Sequence, residues 1–580
     1  MRHKSLRLIV FIAIFCVSSL FSLLTSQESS EKQKQQEIPK PAYEVEVIVT
    51  NVNVVVTDKD GQQVAGLKPE NFLIYEDGIL QTMTNFYEVK GMDVFIPALE
   101  KKKEPTPPQQ ILATESPEFR NKIILYIDNW QIHPLNRNQI IKKMEQFIRD
   151  NFPEGRNNNE GMIVSLSQKL EVLQGLTSNS RQLLGAIEEA KKRSGHSLLQ
   201  MKEREDLQRE LNRMVSATTM SDQKYESFQQ VIGFARSYVE SEYNDLVYSL
   251  KSLNALVDNL AGVEGRKILI YVSDGLALNP GEVVYDYIDS AFQVGNARAE
   301  AMIYDATNLF KDLTARCNAA GVTIYTINSR GLDSRILSAD KSEGWDVYER
   351  GSGMLRETSR IKNQSLRMMA EETGGIPILN TNNIAPGLER IQNDLKFYYS
   401  LGYRSRHRKE GEYHSIEVKL VGIDQDYDVR VRQGYVQIGR EDRIRGAVSS
   451  RLFMHLQENP MNVGIQVLPI EQRATSKRLC LKIKFLIPIK NLTLYSEGDE
   501  YIGKIKAYIA MMDGQNRLSP CHELTEDIKI PASDYDVAMK SSYPYVAEMY
   551  VEPEDYIVSL CIRDMIGETA SFLQFQKTID

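Results

Sequence analysis

The chain is 580 residues long, too long for one hydrophobic core, and length alone divides it into three or four domains. Its 70 Lys+Arg against 78 Asp+Glu give a formal charge of −8, and no basic tract rises above the background, which sets nucleic acid aside as a partner. There is no HExxH, GxSxG or Walker loop, and the histidines stand singly at 3, 133, 196, 407, 414, 455 and 522, so no catalytic constellation emerges.

In chain order, Arg2, His3, Lys4 and Arg7 precede an apolar core from Leu8 to Leu24 and then polar Thr25-Ser26-Gln27. Residues 1–26 therefore read as a secretory signal, with an uncleaved membrane anchor as the alternative because the core is long and no clean small-x-small site follows. Either reading places the rest outside the cytoplasm, secreted or periplasmic, with membrane contact only through this segment. Residues 27–42, rich in Gln, Glu and Lys and ending in Pro39 and Pro41, form a tether.

From Tyr43 the pattern alternates with period two, and turn signals at Asp58-Lys59-Asp60-Gly61 and Glu76-Asp77-Gly78 predict an antiparallel β domain over 43–98. Residues 99–118, with Lys101–Lys103, Pro105, Pro107 and Pro108, read as a linker. The strands from Tyr413 to Tyr435 alternate in the same way. They flank the central part of the chain, so 413–437 could complete the β domain around an inserted unit.

Residues 119–403 carry the α/β signal. The run Asn121 to Ile132, NKIILYIDNWQI, is continuously apolar up to Asp128 and is followed by Asn129 and Trp130. Lys267 to Val272 ends in Ser273-Asp274-Gly275, and Val322 to Ile327 ends in Asn328-Ser329-Arg330-Gly331. Continuous rather than alternating hydrophobicity, with helical segments between, predicts a parallel sheet covered on both faces. Ligands of such sheets bind at the carboxyl ends of the strands, so Asp128 and Asp274 are the first candidates for a metal site.

Between these runs, IIKKMEQFIRDNF has helical spacing, Ser178-Asn179-Ser180 caps LLGAIEEAKK, and 198–262 reads as a helical insertion whose apolar face packs on the domain. Asp333 to Lys362 reads as a polar loop, and Thr381 to Tyr399 as the last helix. Residues 404–440 are expected to be a β hairpin, with the basic run Arg404 to Lys409 at its start. Residues 441–580 then begin with a short helix and continue as a β-rich domain of sandwich type. Once Cys16 is assigned to the signal, Cys317, Cys480, Cys521 and Cys561 remain. Cys317 is expected as a buried thiol, and one disulfide could form among the other three, with its pairing open.

Several blocks in this order carry a resemblance: VVVTDKDGQQVAGLKPENFLIYEDG, GRKILIYVSDGL, AGVTIYTINSRGL, AEETGGIPILNTNN and DLKFYYSLGYRS followed by HSIEVKL and RQGY. Over roughly Tyr43 to Tyr435 the chain resembles the bacterial von Willebrand factor type A-related secreted proteins, described especially from acidobacteria. The resemblance implies a Rossmann-like type A domain, with a mostly parallel sheet and helices on both faces, flanked by antiparallel β-sandwich-like modules.

Many type A domains hold Mg²⁺ through Asp-x-Ser-x-Ser, a Thr in a second loop and an Asp in a third, all hard oxygen ligands. Here Trp130 and Ile132 stand where both serines belong, and Ser194-Gly195-His196-Ser197 stands where Gly-Gly-Thr is expected. Asp128 and Asp274 are thus a vestigial pair, able to hold Mg²⁺ or Ca²⁺ only weakly, and no other cofactor is implied. Asn129, Trp130, His196, Ser197 and Ser273 form the binding edge, with Trp130 either an exposed contact or a plug over the vacant site. The expected function is a non-enzymatic protein-binding or scaffold protein. The alternatives are an envelope enzyme or assembly factor active through the C-terminal β region, and a weak Mg²⁺/Ca²⁺-dependent adhesion protein.

Overall fold

The computed structural model describes residues 49–579 apart from 92, 97–108, 113–119, 156–157, 194, 218–220, 264, 293–296, 332–344, 406–409, 424, 438, 453–457, 470, 473–478 and 515–517. The expected signal, tether, Pro-rich stretch, Ser194 and most of the basic run 404–409 lie outside the described residues. Among those described, no helix is long and apolar enough to cross a membrane.

The first module is a β-sandwich assembled from two distant parts of the chain. Val49–Thr57 pairs antiparallel with Phe397–Arg404, and Asn53 faces Ser400; Phe397–Arg404 in turn pairs with Met83–Lys90. Phe72–Glu76 pairs with Tyr413–Leu420 in the second sheet. Alternation explains the packing: Val52, Val54, Val56, Phe72, Ile74, Leu401, Ile416 and Val418 point into one core between the sheets.

Three expectations are corrected in this region. Phe397–Arg404, read as the end of a helix and of the α/β unit, is a strand, and the last helix stops at Lys396. Its FYYSLGYR run is β-branched-poor but aromatic, and all but its last residue are buried in the sandwich. Gln109–Leu112, inside the expected linker, is a strand paired with Asp93–Ile96. In the expected hairpin 404–440, Tyr413–Leu420 pairs with Gly434–Val436, whereas Asp428–Arg430 crosses to the other sheet and pairs with Val49–Thr57.

The central unit is a six-stranded sheet, in order Pro377–Ile378, Val322–Asn328, Arg266–Ser273, Asn121–Asp128, Asn159–Leu166 and Leu170–Thr177. All neighbours are parallel except the last strand, which folds back as an antiparallel edge. All eight residues of Asn121–Asp128 are buried. Ile123, Leu125 and Ile127 join Ile141, Met144 and Phe147 of the helix Pro134–Asn151 on one face. Ile124 and Tyr126 meet Leu246, Leu250, Leu253 and Val257 of the 40-residue helix Ser221–Leu260 on the other. This two-sided cover is why the strand lacks alternation. The segment read as a polar loop is helical from Trp345 within Trp345–Glu372.

The helix Arg440–Arg451 leads into two further antiparallel sheets, whose facing sides are filled by Leu481, Ile483, Phe485, Ile505, Ile509, Val558 and Leu560. Cys317, Cys480, Cys521 and Cys561 are free thiols, so no disulfide joins the last three. Burial pushes the Cys317 thiol up, as expected for a core residue.

Candidate functional site at the carboxyl edge of the parallel sheet

The chain leaves Asn121–Asp128 to build the sheet on one side, through Asn159–Leu166, and later returns to build the other side from Arg266–Ser273. The switch point therefore lies between the ends of Asn121–Asp128 and Arg266–Ser273, where Asp128 and Ser273-Asp274 emerge.

The two carboxylates are close enough to repel but are held by different donors. Asp128 is fully buried. Its Oδ2 accepts the Tyr271 hydroxyl at 2.5 Å and the Ser273 hydroxyl at 3.0 Å, and its Oδ1 accepts the Gln131 N–H at 3.3 Å. Burial, aided by the Asp274 charge, raises its pKa to about 6 despite these donors. Asp274 Oδ2 accepts the His133 N–H at 3.2 Å and the Asn136 amide at 3.5 Å, while Oδ1 accepts the Ser329 hydroxyl. The Arg330 Nε lies 3.6 Å from the same carboxylate.

A second cation stands beside this cluster. Lys362 is buried, and burial together with Arg204 and Arg330 pushes its ammonium down to about 8 against the pull of Glu242 and Asp274. The α-carbon of Gly275 faces it so closely that a Cβ there would lie 2.8 Å from the Lys362 carbonyl, and the backbone at Gly275 has φ +85°, so glycine is required twice over.

The remaining edge residues gather around Asp245, from the long helix. Trp130 is half-buried; its Nε1 donates to Asp245 Oδ1 at 3.1 Å, and its ring lies 4.7 Å from His196 and 5.0 Å from Tyr248. His196 Nδ1 is 3.1 Å from Asp245 Oδ2, which also accepts the Gln200 amide at 2.6 Å. Asn129 points away, donating to Ser165 Oγ and the Ala190 carbonyl. Ser197 donates its hydroxyl to the Ile132 carbonyl at 2.9 Å.

Of the residues singled out on the sequence, the structure thus joins Ser273 to Asp128, and Trp130 to His196 through Asp245. Asn129 and Ser197 serve backbone packing instead. The second loop is pressed against the first: a Cβ on Gly195 would sit 1.5 Å from the Asn129 carbonyl oxygen. Sequence reasoning missed Tyr271, Asp245, Ser329, Arg330 and Lys362. Arg330 was within the quoted NSRGL block and Asp245 within the packed helix face, but only the fold shows which way they point.

Beside Ser329 and Arg330 a cavity of about 840 Å³ opens between the helices Pro134–Asn151 and Ala385–Lys396, with Lys142, Lys143, Gln146 and Gln392 on its walls.

No family model matches the chain, and no curated protein matches it. Among solved structures, an aerotolerance-related membrane protein from Bacteroides fragilis is similar at 11% identity over 48% of this chain and 98% of its own, with a TM-score of 0.23. The conserved hypothetical protein BatB from Bacteroides thetaiotaomicron is similar at 10% identity over 48% and 99%, with a TM-score of 0.19. The manganese-loaded TRAP protein of Plasmodium vivax gives 11% identity over 55% and 95%, with a TM-score of 0.21. TM-scores this low identify neither fold family nor role.

Proposed function

We propose that the chain is a non-enzymatic binding or scaffold protein acting outside the cytoplasm, built on a type A-like domain whose adhesion site has lost its metal. One observation carries this reading: the Asp274 carboxylate is met by Ser329, Asn136, a backbone N–H and the nearby Arg330 guanidinium. Mg²⁺ and Ca²⁺ need several oxygen lone pairs directed at one point. Here both carboxylates spend theirs on protein donors, a guanidinium occupies the cationic role, and no group of three or more His, Cys, Asp or Glu comes together among the described residues. These residues do not fit the ion.

On this reading the partner is a protein segment held in the cleft beside Arg330, by the exposed Lys142 and Lys143 and neighbouring amides, rather than a carboxylate bridged by metal. In the C-terminal sandwich, the other seat of activity considered on the sequence, the space between the sheets is filled by apolar side chains.

The test is capture of partners from envelope extract by the purified chain and by Lys142→Glu/Lys143→Glu, each with and without EDTA. The reading expects capture that EDTA leaves intact and the charge reversal abolishes. Capture lost to EDTA, or unchanged in the variant, would overturn it.

A further inference from the structure

At the other end of the parallel sheet, the amino ends of Arg266–Ser273 and Val322–Asn328 face the sandwich strands that carry Asn51, Asn53 and Ser400. A cavity of about 210 Å³ lies in this seam. Arg266, Lys267, Arg430 and Arg432 line it, and no aspartate or glutamate among the described residues does.

Arg430 is neutralised. It forms a two-pronged ion pair with Asp394, both contacts at 2.7 Å, and the same carboxylate accepts the Tyr325 hydroxyl at 3.0 Å. Among the described residues, Arg266 and Arg432 have neutral partners only. Arg266 Nη1 donates to the Asp394 carbonyl at 2.5 Å, and the guanidinium lies 4.3 Å over the Tyr398 ring. Arg432 donates to the carbonyls of Asn318 at 2.7 Å and Asn51 at 2.9 Å. The Nε of each is buried and has no acceptor among the described residues. Lys267 Nζ donates to the Val263 carbonyl at 2.6 Å.

Carbonyl oxygens satisfy N–H groups but do not cancel charge, and a buried cation without a counter-charge is costly. Burial accordingly pushes the Arg432 guanidinium down, with no carboxylate opposing it. The guanidinium fork matches the spacing of oxygens on a phosphate or sulfate group, and two forks facing one cavity suit an anion with oxygens on several sides. The cavity exceeds by several-fold the roughly 30 Å³ share of one water, which leaves room for such a group with bound water or a short substituent. Glycine keeps the rim open: at Gly374, φ +82°, a Cβ would lie 2.9 Å from the Arg432 backbone nitrogen.

We infer that this seam binds a small tetrahedral oxyanion, a phosphate or sulfate group, with Arg266 and Arg432 as its ligands and Lys267 adding positive charge. The site is independent of the carboxyl edge and of the function proposed there. Because its lining comes from both the sandwich and the α/β unit, the anion ties the two together and stabilises the folded chain by mass action.

The experiment titrates inorganic phosphate, and separately sulfate, into the purified chain by calorimetry, with chloride holding ionic strength constant. Melting curves are recorded in the same buffers. Saturable binding of either anion, and a rise in Tm that chloride does not reproduce, are expected. Arg266→Gln, with its fold checked by circular dichroism, is expected to weaken binding at least about tenfold, the loss of a charge-assisted contact. Arg432→Gln should do the same. Absence of saturable heat from both anions in the wild-type chain overturns the inference, and so does equal affinity in a folded Arg266→Gln variant.

Discussion

At the scale of single residues, Asp128 shows how burial and hydrogen bonding compete. Tyr271, Ser273 and the Gln131 N–H all favour the carboxylate, yet burial keeps its pKa near 6. Since the folded value lies above the unfolded value near 4, the native state holds the extra proton between the two, and this group's contribution to stability falls as pH rises across that window. The total effect is on the order of 3 kcal/mol for a fully buried group. Asp128→Asn removes the titration. Melting temperatures of wild type and variant between pH 4 and 7 should therefore diverge, with the wild type losing stability relative to Asp128→Asn; parallel curves would contradict the assignment. Asp394 is the opposite case, a buried carboxylate with its cation in place. Asp394→Ala leaves the partly buried Arg430 without its partner and is expected to cost about 3 kcal/mol in denaturant unfolding.

At the scale of elements, the strands Asn121–Asp128, Arg266–Ser273 and Val322–Asn328 were legible because a strand covered on both faces must be apolar throughout, and each run stops at its polar end. The cap was legible too: Asn179 accepts the Arg181 N–H at 3.0 Å at the start of Ser180–Lys192. Phe397–Arg404 was not, since it follows Lys396 without a glycine or proline, and its partners Val49–Thr57 lie more than 300 positions away. Trp130 and Ile132, standing where serines were expected, are the sequence signal behind the proposal of a vestigial edge. That Arg330 approaches Asp274 was not, because sequence spacing carries no side-chain direction across strands. Packing between elements also makes a prediction. A Cβ on Gly262 would lie 2.1 Å from the Ala447 α-carbon, where the end of the long helix meets Arg440–Arg451. Gly262→Val should loosen that helix, raising hydrogen exchange over Arg440–Arg451 while exchange in Asn121–Asp128 stays protected.

At the scale of the whole molecule, the chain is a mixed α/β protein with one mostly parallel sheet and several antiparallel ones, in which the α/β unit is enclosed in sequence by the two parts of a single sandwich. Its two ends differ in chemistry. At the carboxyl edge, carboxylates are met by built-in donors and cations; at the amino edge, two guanidinium groups lack a counter-charge among the described residues. On the proposed reading, an edge arranged in this way would hold partners without a bridging ion. The most direct test is calorimetric titration of Mg²⁺, Mn²⁺ and Ca²⁺ into the purified wild-type chain and Asp274→Asn. No saturable binding up to about 10 mM is expected for either protein, well beyond the range of extracellular calcium sites. Submillimolar binding to the wild type that Asp274→Asn removes would contradict the account.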